Sequence, residues 1–322
     1  MQNRKSRTPT LAGVKDAAER IREIVPPTPL VPFETEHGQV WLKCENLQPI
    51  GAFKLRGGYH RLAALSEEQR KTGVVAFSSG NHAQGVAWAA KRLGMPALIV
   101  MPADAPRAKL DATRALGAEI VTYDRMTEGR EELAARLGEE RGAVVVPSFD
   151  DPWVVEGQGT AALEAVDQMT ALAGGPPDSA VTCCGGGGLS AGTALVLPDA
   201  QITIVEPEGW DDMARSLATG KIEPVGSNPP DTRCDALQTM RVAPITFDIL
   251  KAHGATGVAV SEAEVAHAMR VAYSRLQLVV EPGGAVALAA VLSGKVKPKG
   301  RTMVTLSGGN VDPAIFAEII LG

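Results

Sequence analysis

The chain has 322 residues, enough for about two domains and a core that needs no covalent staple. Its 37 acidic and 32 basic residues give −5 with histidine neutral, no electrostatic reason to bind nucleic acid or an anionic membrane. A 45% hydrophobic and 21% charged composition excludes a disordered or fibrous chain, and 4% aromatics are too few for a base-stacking platform. There is no apolar run of about 18 residues and no secretory signal in MQNRKSRTPTLAGV. Four cysteines, two of them adjacent at Cys183 and Cys184, suit reduced thiols and a cytoplasmic setting better than a disulfide scaffold.

Short β-branched runs alternate with stretches that carry apolar residues at helical spacing. The first predicted strand spans 40–44 and leads to Gly51-Ala52-Phe53-Lys54-Leu55-Arg56-Gly57-Gly58. A lysine crowded by small residues and a phenylalanine can lose its proton and act as nucleophile or base. Spacing alone also allows a surface lysine at the start of a helix. The next predicted strand, 74–77, runs into Ser78-Ser79-Gly80-Asn81-His82 ahead of a helix over 83–93. Hydroxyls and free amides there suit a carboxylate, or a plain helix cap. His37, His60, His82, His253 and His267 are scattered without partners at metal-ligand spacing, so no zinc site is expected. Strands over 97–100, 119–122 and 143–146 alternate with helices over 108–116 and 131–137. Pro147 is a place for the chain to cross to another sheet.

A helix over 159–172 and a strand over 180–183 precede Gly185, Gly186, Gly187 and Gly188, which open a helix over 189–197. Glycines between strand and helix let backbone N–H groups converge on an anion such as phosphate, and the helix N-terminus adds positive partial charge. Two other readings stay open. One is a flexible turn; the other is a dinucleotide fingerprint on Gly186, Gly188 and Ala191, with Glu206 about twenty residues on. Glu206 follows the predicted strand 202–205, and Asp212 lies a short way beyond. Two carboxylates with backbone carbonyls suit Mg²⁺ or Ca²⁺. Alternatively Asp211 or Asp212 caps a helix over 212–217 while Glu206 pairs with a base. Residues 224–230, PVGSNPP, are the most loop-like stretch. A strand over 258–260, a helix over 262–276 and a strand over 303–306 follow, and Ser307-Gly308-Gly309-Asn310 closes the series. That last loop is either a ligand site at a strand's carboxyl end or a turn with a cap.

This order predicts an α/β fold with two interleaved domains, each a mainly parallel sheet flanked by helices. The expected division is a large domain of residues 1–67 and 150–322 with a smaller one, 68–149, inserted.

The motifs ENLQPIGAFKLRGG, SSGNHAQGVAWAA, GQGT, CCGGGGLSAG, VEPEGWDDMARS, EPGGA and SGGN occur in that order from about residue 28 to 312. Together they resemble the fold-type II pyridoxal-phosphate enzymes, the tryptophan synthase β family. Within it the chain is similar to the threonine/serine dehydratase and serine racemase branch. The resemblance implies that Lys54 holds pyridoxal 5'-phosphate as a Schiff base, with Phe53 near the ring. It implies that Gly185, Gly186, Gly187 and Gly188 bind the phosphate, that Asn81 meets the ring hydroxyl and that Ser307 faces the ring nitrogen. Ser78, Ser79, Gly80, Asn81 and His82 would cradle the substrate carboxylate, with Ser79 also the acid on the face opposite Lys54. Glu206, the carbonyl of Trp210 and Asp212 match the branch's site for Mg²⁺ or Ca²⁺. A homodimer is implied as well.

The implied function is dehydration of L-threonine or L-serine to a 2-oxo acid and ammonia. Freed Lys54 would take the α-proton, and a serine at the ring nitrogen would favour expulsion of a β-hydroxyl. Serine racemisation and hydroxyaspartate dehydration are the neighbouring outcomes. A nicotinamide-dependent oxidoreductase is the remote alternative, and a non-catalytic sensor has no need of Lys54. The chain departs from the family at Ala52 (usually Ser), at Cys183 and Cys184 (often Val and Gly), at Trp210 (a small residue), at Ala236 (Gly) and at Gly283 (Ser or Thr). The twelve residues after Asn310 leave no room for the regulatory domain of biosynthetic threonine dehydratases.

Overall fold

A computed structural model describes residues 7–78, 80–105, 107–124 and 126–322. Helix α1 (Leu11–Ile21) is capped by Thr10. Strands β1 (Leu30–Thr35) and β2 (Gly38–Cys44) form an antiparallel hairpin that closes at Thr35↔Gly38. The sequence pattern missed β1 because it contains Pro32. The strand lies at the sheet edge, where a residue without an N–H is tolerated.

The chain then builds α2 (Lys54–Ala63), α3 (Glu67–Thr72), β3 (Val74–Phe77), α4 (Asn81–Leu93), β4 (Ala97–Pro102), α5 (Arg107–Ala115), β5 (Glu119–Tyr123), α6 (Arg130–Arg141) and β6 (Val144–Val145). These four strands make one parallel sheet in the order β5-β4-β3-β6. The return path runs through α7 (Pro152–Ala173), β7 (Ser179–Cys183), α8 (Gly188–Val196), β8 (Gln201–Pro207) and α9 (Asp212–Thr219). It continues through α10 (Pro244–His253), β9 (Thr256–Val260), α11 (Glu262–Leu276), α12 (Pro282–Leu292), β10 (Thr302–Leu306) and α13 (Pro313–Leu321). The second sheet has the order β1-β2-β10-β7-β8-β9, parallel except for β1. The fold is therefore α/β, with two parallel-dominated sheets flanked by helices.

Helix α7 begins before its predicted start at residue 159. Asp151 caps it by accepting from the amides of Trp153 and Val154 at 3.0 and 3.2 Å, and Pro152 suits the first turn. Its glycines are contact points rather than breaks. A Cβ on Gly157 would lie 2.5 Å from the Cα of Gly57 in α2, and one on Gly159 would lie 2.8 Å from the carbonyl oxygen of Gly192 in α8. Helix α7 is thus wedged between the helices that begin at Lys54 and at Gly188.

A buried charge network fixes α2 further. The Arg56 guanidinium, 1% exposed, donates to both oxygens of fully buried Glu45 at 2.7 and 2.8 Å, and to Glu164 at 3.0 Å. Lys43 donates to the Thr28 carbonyl at 2.8 Å and to Gln168 at 2.9 Å, and it pairs with Glu164. Burial alone would raise the Glu45 carboxyl, but Arg56 and Lys43 hold it below the usual range. We predict that Arg56→Met lowers stability in urea by about 3–5 kcal/mol at pH 7, because it strands a buried carboxylate. Glu45 contributes its stabilisation above its unfolded pKa and loses it as pH falls through the depressed folded value. The gap between wild type and variant should therefore narrow on acidification.

Candidate active site

Parallel strands deliver their following loops to one side of a sheet, and here the carboxyl ends of both sheets face a shared cavity of about 500 Å³. Its walls include Lys54, Asn81, His82, Cys183, Glu281 and Ser307, together with all four residues of the glycine run.

Lys54 is the first residue of α2, whose N-terminus no side chain caps. The segment before it is stitched to the end of β10: the amide of Phe53 donates to the Ser307 carbonyl at 3.2 Å, and Ala52 bridges Gly308. Lys54 Nζ donates to the Ser148 carbonyl at 3.2 Å and stands 5.0 Å from the Phe53 ring centroid. Burial pushes its amine down to about 8, with Cys183 and Glu281 opposing only in part. A neutral, nucleophilic amine is thus within reach near physiological pH.

Across the cavity, the glycine run turns from β7 into α8. Gly187 adopts φ +84°, a conformation that favours glycine. A Cβ on Gly186 would fall 2.1 Å from the Phe149 ring, and Thr246 Oγ1 ties the loop down by donating to the Gly186 carbonyl at 2.8 Å. The first amides of α8 have no intrahelical acceptor, and no side chain caps them. This is a cradle of backbone donors with positive partial charge, suited to a phosphate. The dinucleotide alternative loses its acidic partner. Glu206 is committed elsewhere, accepting from the amides of Met213 and Ala214 at 3.1 and 2.8 Å.

Ser79 lies outside the described residues. Around it, the Ser78 amide is held by the Val100 carbonyl, and the Gly80 amide donates to Ser78 Oγ at 3.2 Å. Asn81 opens α4 and links three loops: its Nδ2 donates to Glu281 Oε1 at 2.6 Å, while its Oδ1 accepts from Asn310 Nδ2 at 2.8 Å. Glu281 is a site residue to which the motif reading gave no role. Burial, reinforced by Asp235, raises its carboxyl to about 7, with Asn81 opposing. Only its contact with Asn81, distant in sequence, marks it out.

His82 Nε2 donates to the Val146 carbonyl at 2.9 Å. Burial, aided by the charge of Lys54, pushes the imidazole down to about 3. Its Nδ1 is therefore a bare acceptor, with no partner among the described residues. The ring offers no N–H to a carboxylate, which leaves that task at this loop to backbone amides and to Ser78 and Asn81.

The suspected metal residues lie together behind β8. Glu206, not Asp211 or Asp212, accepts from the first-turn amides of α9. Neither carboxylate oxygen of buried Asp212 makes a well-formed hydrogen bond among the described residues. Burial raises Asp212 to about 7. Burial and then the Asp212 charge raise Glu206 well above the usual carboxylate range. The Trp210 indole is occupied, donating to the Pro230 carbonyl at 2.8 Å. No cluster of three or more acidic, cysteine or histidine side chains with metal-binding spacing occurs among the described residues.

The family model described as pyridoxal-phosphate dependent enzyme matches residues 21–308. The chain is 45% identical over 315 residues to the L-threo-3-hydroxyaspartate ammonia-lyase of Pseudomonas sp., covering 95% of this chain and 97% of that protein. It is 40% identical to the serine racemase of Schizosaccharomyces pombe, covering 97% of each. Among solved structures, a T.th. threonine deaminase superposes with a TM-score of 0.88 at 40% identity, covering 94% of this chain and 99% of that one. The lysine amine and the uncapped glycine cradle in one cavity fit a phosphorylated aldehyde cofactor. We predict that Gly186→Val, which drives a side chain into Phe149, weakens binding of pyridoxal phosphate about tenfold or more. An absorbance titration of the apoprotein measures this, and wild-type affinity would remove the loop from the cofactor site.

Proposed function

Because the chain belongs to the family of pyridoxal-phosphate dependent enzymes, in the branch of ammonia-lyases and racemases, we propose that it dehydrates L-threonine and L-serine to a 2-oxo acid and ammonia. The observation that carries this reading is that the Lys54 amine faces the same cavity as the glycine cradle. When bound, the cofactor supplies an electron sink for charge developing at the substrate α-carbon. Lys54 would hold the cofactor covalently, and its amine, when free, would take the proton from the substrate α-carbon. Gly185, Gly186, Gly187 and Gly188 hold the phosphate through backbone amides. Asn81 would meet the ring hydroxyl, Phe53 would pack near the ring and Ser307 would face the ring nitrogen. Ser307 would be too weak an acid–base group to keep a proton on that nitrogen, which would favour loss of a β-hydroxyl over return of the α-proton. The loop of Ser78, Ser79, Gly80, Asn81 and His82 receives the substrate carboxylate, and Ser79 supplies the acid for any racemisation.

Residues 68–149 are the part that closes over the substrate, against a cofactor-binding part of residues 1–67 and 150–322. The Asn81–Glu281 hydrogen bond and the Lys109–Asp235 ion pair join the two at the cavity. A homodimer and a cytoplasmic setting complete the reading. The latter rests on four free cysteines, all buried.

A second reading, dehydration of 3-hydroxyaspartate, is favoured by the Pseudomonas relative and by two cavity cations, Arg130 and Arg241. Neither forms an ion pair among the described residues. The deciding assay measures 2-oxo acid and ammonia from L-serine, L-threonine and L-threo-3-hydroxyaspartate. We expect turnover of serine and threonine with little D-isomer, and a loss of at least about a hundredfold in Lys54→Ala. Turnover of hydroxyaspartate alone would select the second reading. No turnover of any of the three would overturn both.

Glu206, the carbonyl of Trp210 and Asp212 are proposed to hold Mg²⁺ or Ca²⁺. What supports this reading is a pair of buried carboxyls side by side, Asp212 short of hydrogen-bond partners and Glu206 raised by burial and by Asp212. Chelator should lower the wild-type melting temperature by about 3–8 °C and leave Glu206→Ala unmoved. An equal response in both would remove the metal.

A further inference from the structure

Glu281 has no part in the reaction as derived, yet its carboxyl stands in the cavity wall, 3% exposed. It occupies the N-cap position of α12 but makes no side-chain cap there. Its Oε1 instead accepts from Asn81 Nδ2 at 2.6 Å. That bond is one end of a relay. Asn81 Oδ1 accepts from Asn310 Nδ2 at 2.8 Å, and the same Nδ2 donates to the Ile50 carbonyl at 2.7 Å. Glycines leave room at both ends. A Cβ on Gly51 would lie 2.4 Å from Asn310 Oδ1, and one on Gly308 would lie 2.0 Å from Glu281 Oε1.

The ends of the relay fix its direction. The oxygen and nitrogen of a side-chain amide are told apart by their partners. A backbone carbonyl has no hydrogen to give, and neither has a carboxylate. Asn310 therefore turns its nitrogen to Ile50, and Asn81 turns its nitrogen to Glu281. Both hydrogens of Asn310 Nδ2 are used, one on Ile50 and one on Asn81. Asn81 Nδ2 uses only one of its two, and the other has no partner among the described residues. Because Asn81 lines the cavity, that second N–H is the one left for a ligand.

We propose that Glu281 is a positioning residue: it holds the Asn81 amide with its nitrogen, not its oxygen, presented to the cofactor's ring hydroxyl. The proposal rests on the reading that Asn81 meets that hydroxyl. An amide released from Glu281 keeps only its bond to Asn310 and is free to swing away. The ring oxygen would then lose a donor, or face the amide oxygen, which repels it. A hydrogen bond to the ring oxygen draws charge from the ring, so the visible absorption band of the bound cofactor reads the amide directly.

The test titrates pyridoxal phosphate into apoprotein and follows that band. Wild type is compared with Glu281→Leu, Glu281→Gln, Asn310→Ala, Asn81→Ala and the double variant Glu281→Leu with Asn81→Ala. Glu281→Leu should weaken binding about tenfold and shift the band in the same direction as Asn81→Ala, as expected for loss of one hydrogen bond to a charged group. Asn310→Ala, which cuts the relay at its other end, should shift the band the same way, and it decides the matter if Glu281→Leu does not fold. Glu281→Gln, whose amide oxygen still accepts, should bind within about threefold of wild type. In the Asn81→Ala background, Glu281→Leu should change binding by less than about twofold, because no amide is left to hold. Wild-type band and affinity in Glu281→Leu, beside a shifted Asn81→Ala, would overturn the role of Glu281. So would a Glu281→Leu effect that persists in full without Asn81. No change in Asn81→Ala would instead show that Asn81 does not meet the hydroxyl, and the proposal would fall with that placement.

Discussion

The pairing of Arg56 with Glu45 is the constraint from which the rest of the molecule takes its position. Both side chains are buried, and the guanidinium also reaches Glu164 on α7. An ion pair of this kind adds little net stability over an apolar replacement, but it tolerates few alternative arrangements. Here it sets the register of α2 against β2 and α7. Lys54 lies two residues before Arg56 on the same helix. A slip of one residue would rotate α2 by about 100° and carry the Lys54 amine out of the cavity. The contact of Gly57 with Gly157 holds the same helix close against α7.

With α2 held, strand polarity does the remaining assembly. The loops after β2, β3, β7 and β10 arrive from distant parts of the chain because their strands point the same way. Asn81 then joins the loops after β3 and β10 through Asn310, and reaches Glu281 at the start of α12. The depressed amine of Lys54 and the raised carboxyl of Glu281 have a common origin, since both are charged groups that burial penalises. The cavity is chemically poised because these two ionisable groups on its walls are buried.

Much of this was legible in the sequence, and what was not has physical reasons. All nine predicted strands are present, since buried parallel strands are apolar runs between turn residues. Strand β1 was hidden by Pro32. Helix α12 was hidden because it is apolar all round and buried along nearly its whole length, so no face stands out. Lys54 and the glycine run could be singled out because their chemistry depends on local spacing. Glu281, the Ser148 carbonyl beneath Lys54 and the Arg56–Glu45 pair could not, because each acts through a partner that only tertiary contact supplies. The cap of α9 shows the limit well: local pattern favours Asp211 or Asp212, whereas Glu206 reaches across from β8.

Strand β10 has a consequence for how the protein is made. It is the last strand along the chain, yet it sits in the interior of its sheet, between β2 and β7. During synthesis, everything before it emerges as a sheet with its central slot open. The edges of β2 and β7 then present unpaired backbone groups, an exposed state that invites wrong partners. Ser307 follows directly on β10, so its part of the cavity wall is missing until that slot is filled. The slot therefore stays open until the last part of the chain has been made. The cavity is complete only once this last strand has reached its place.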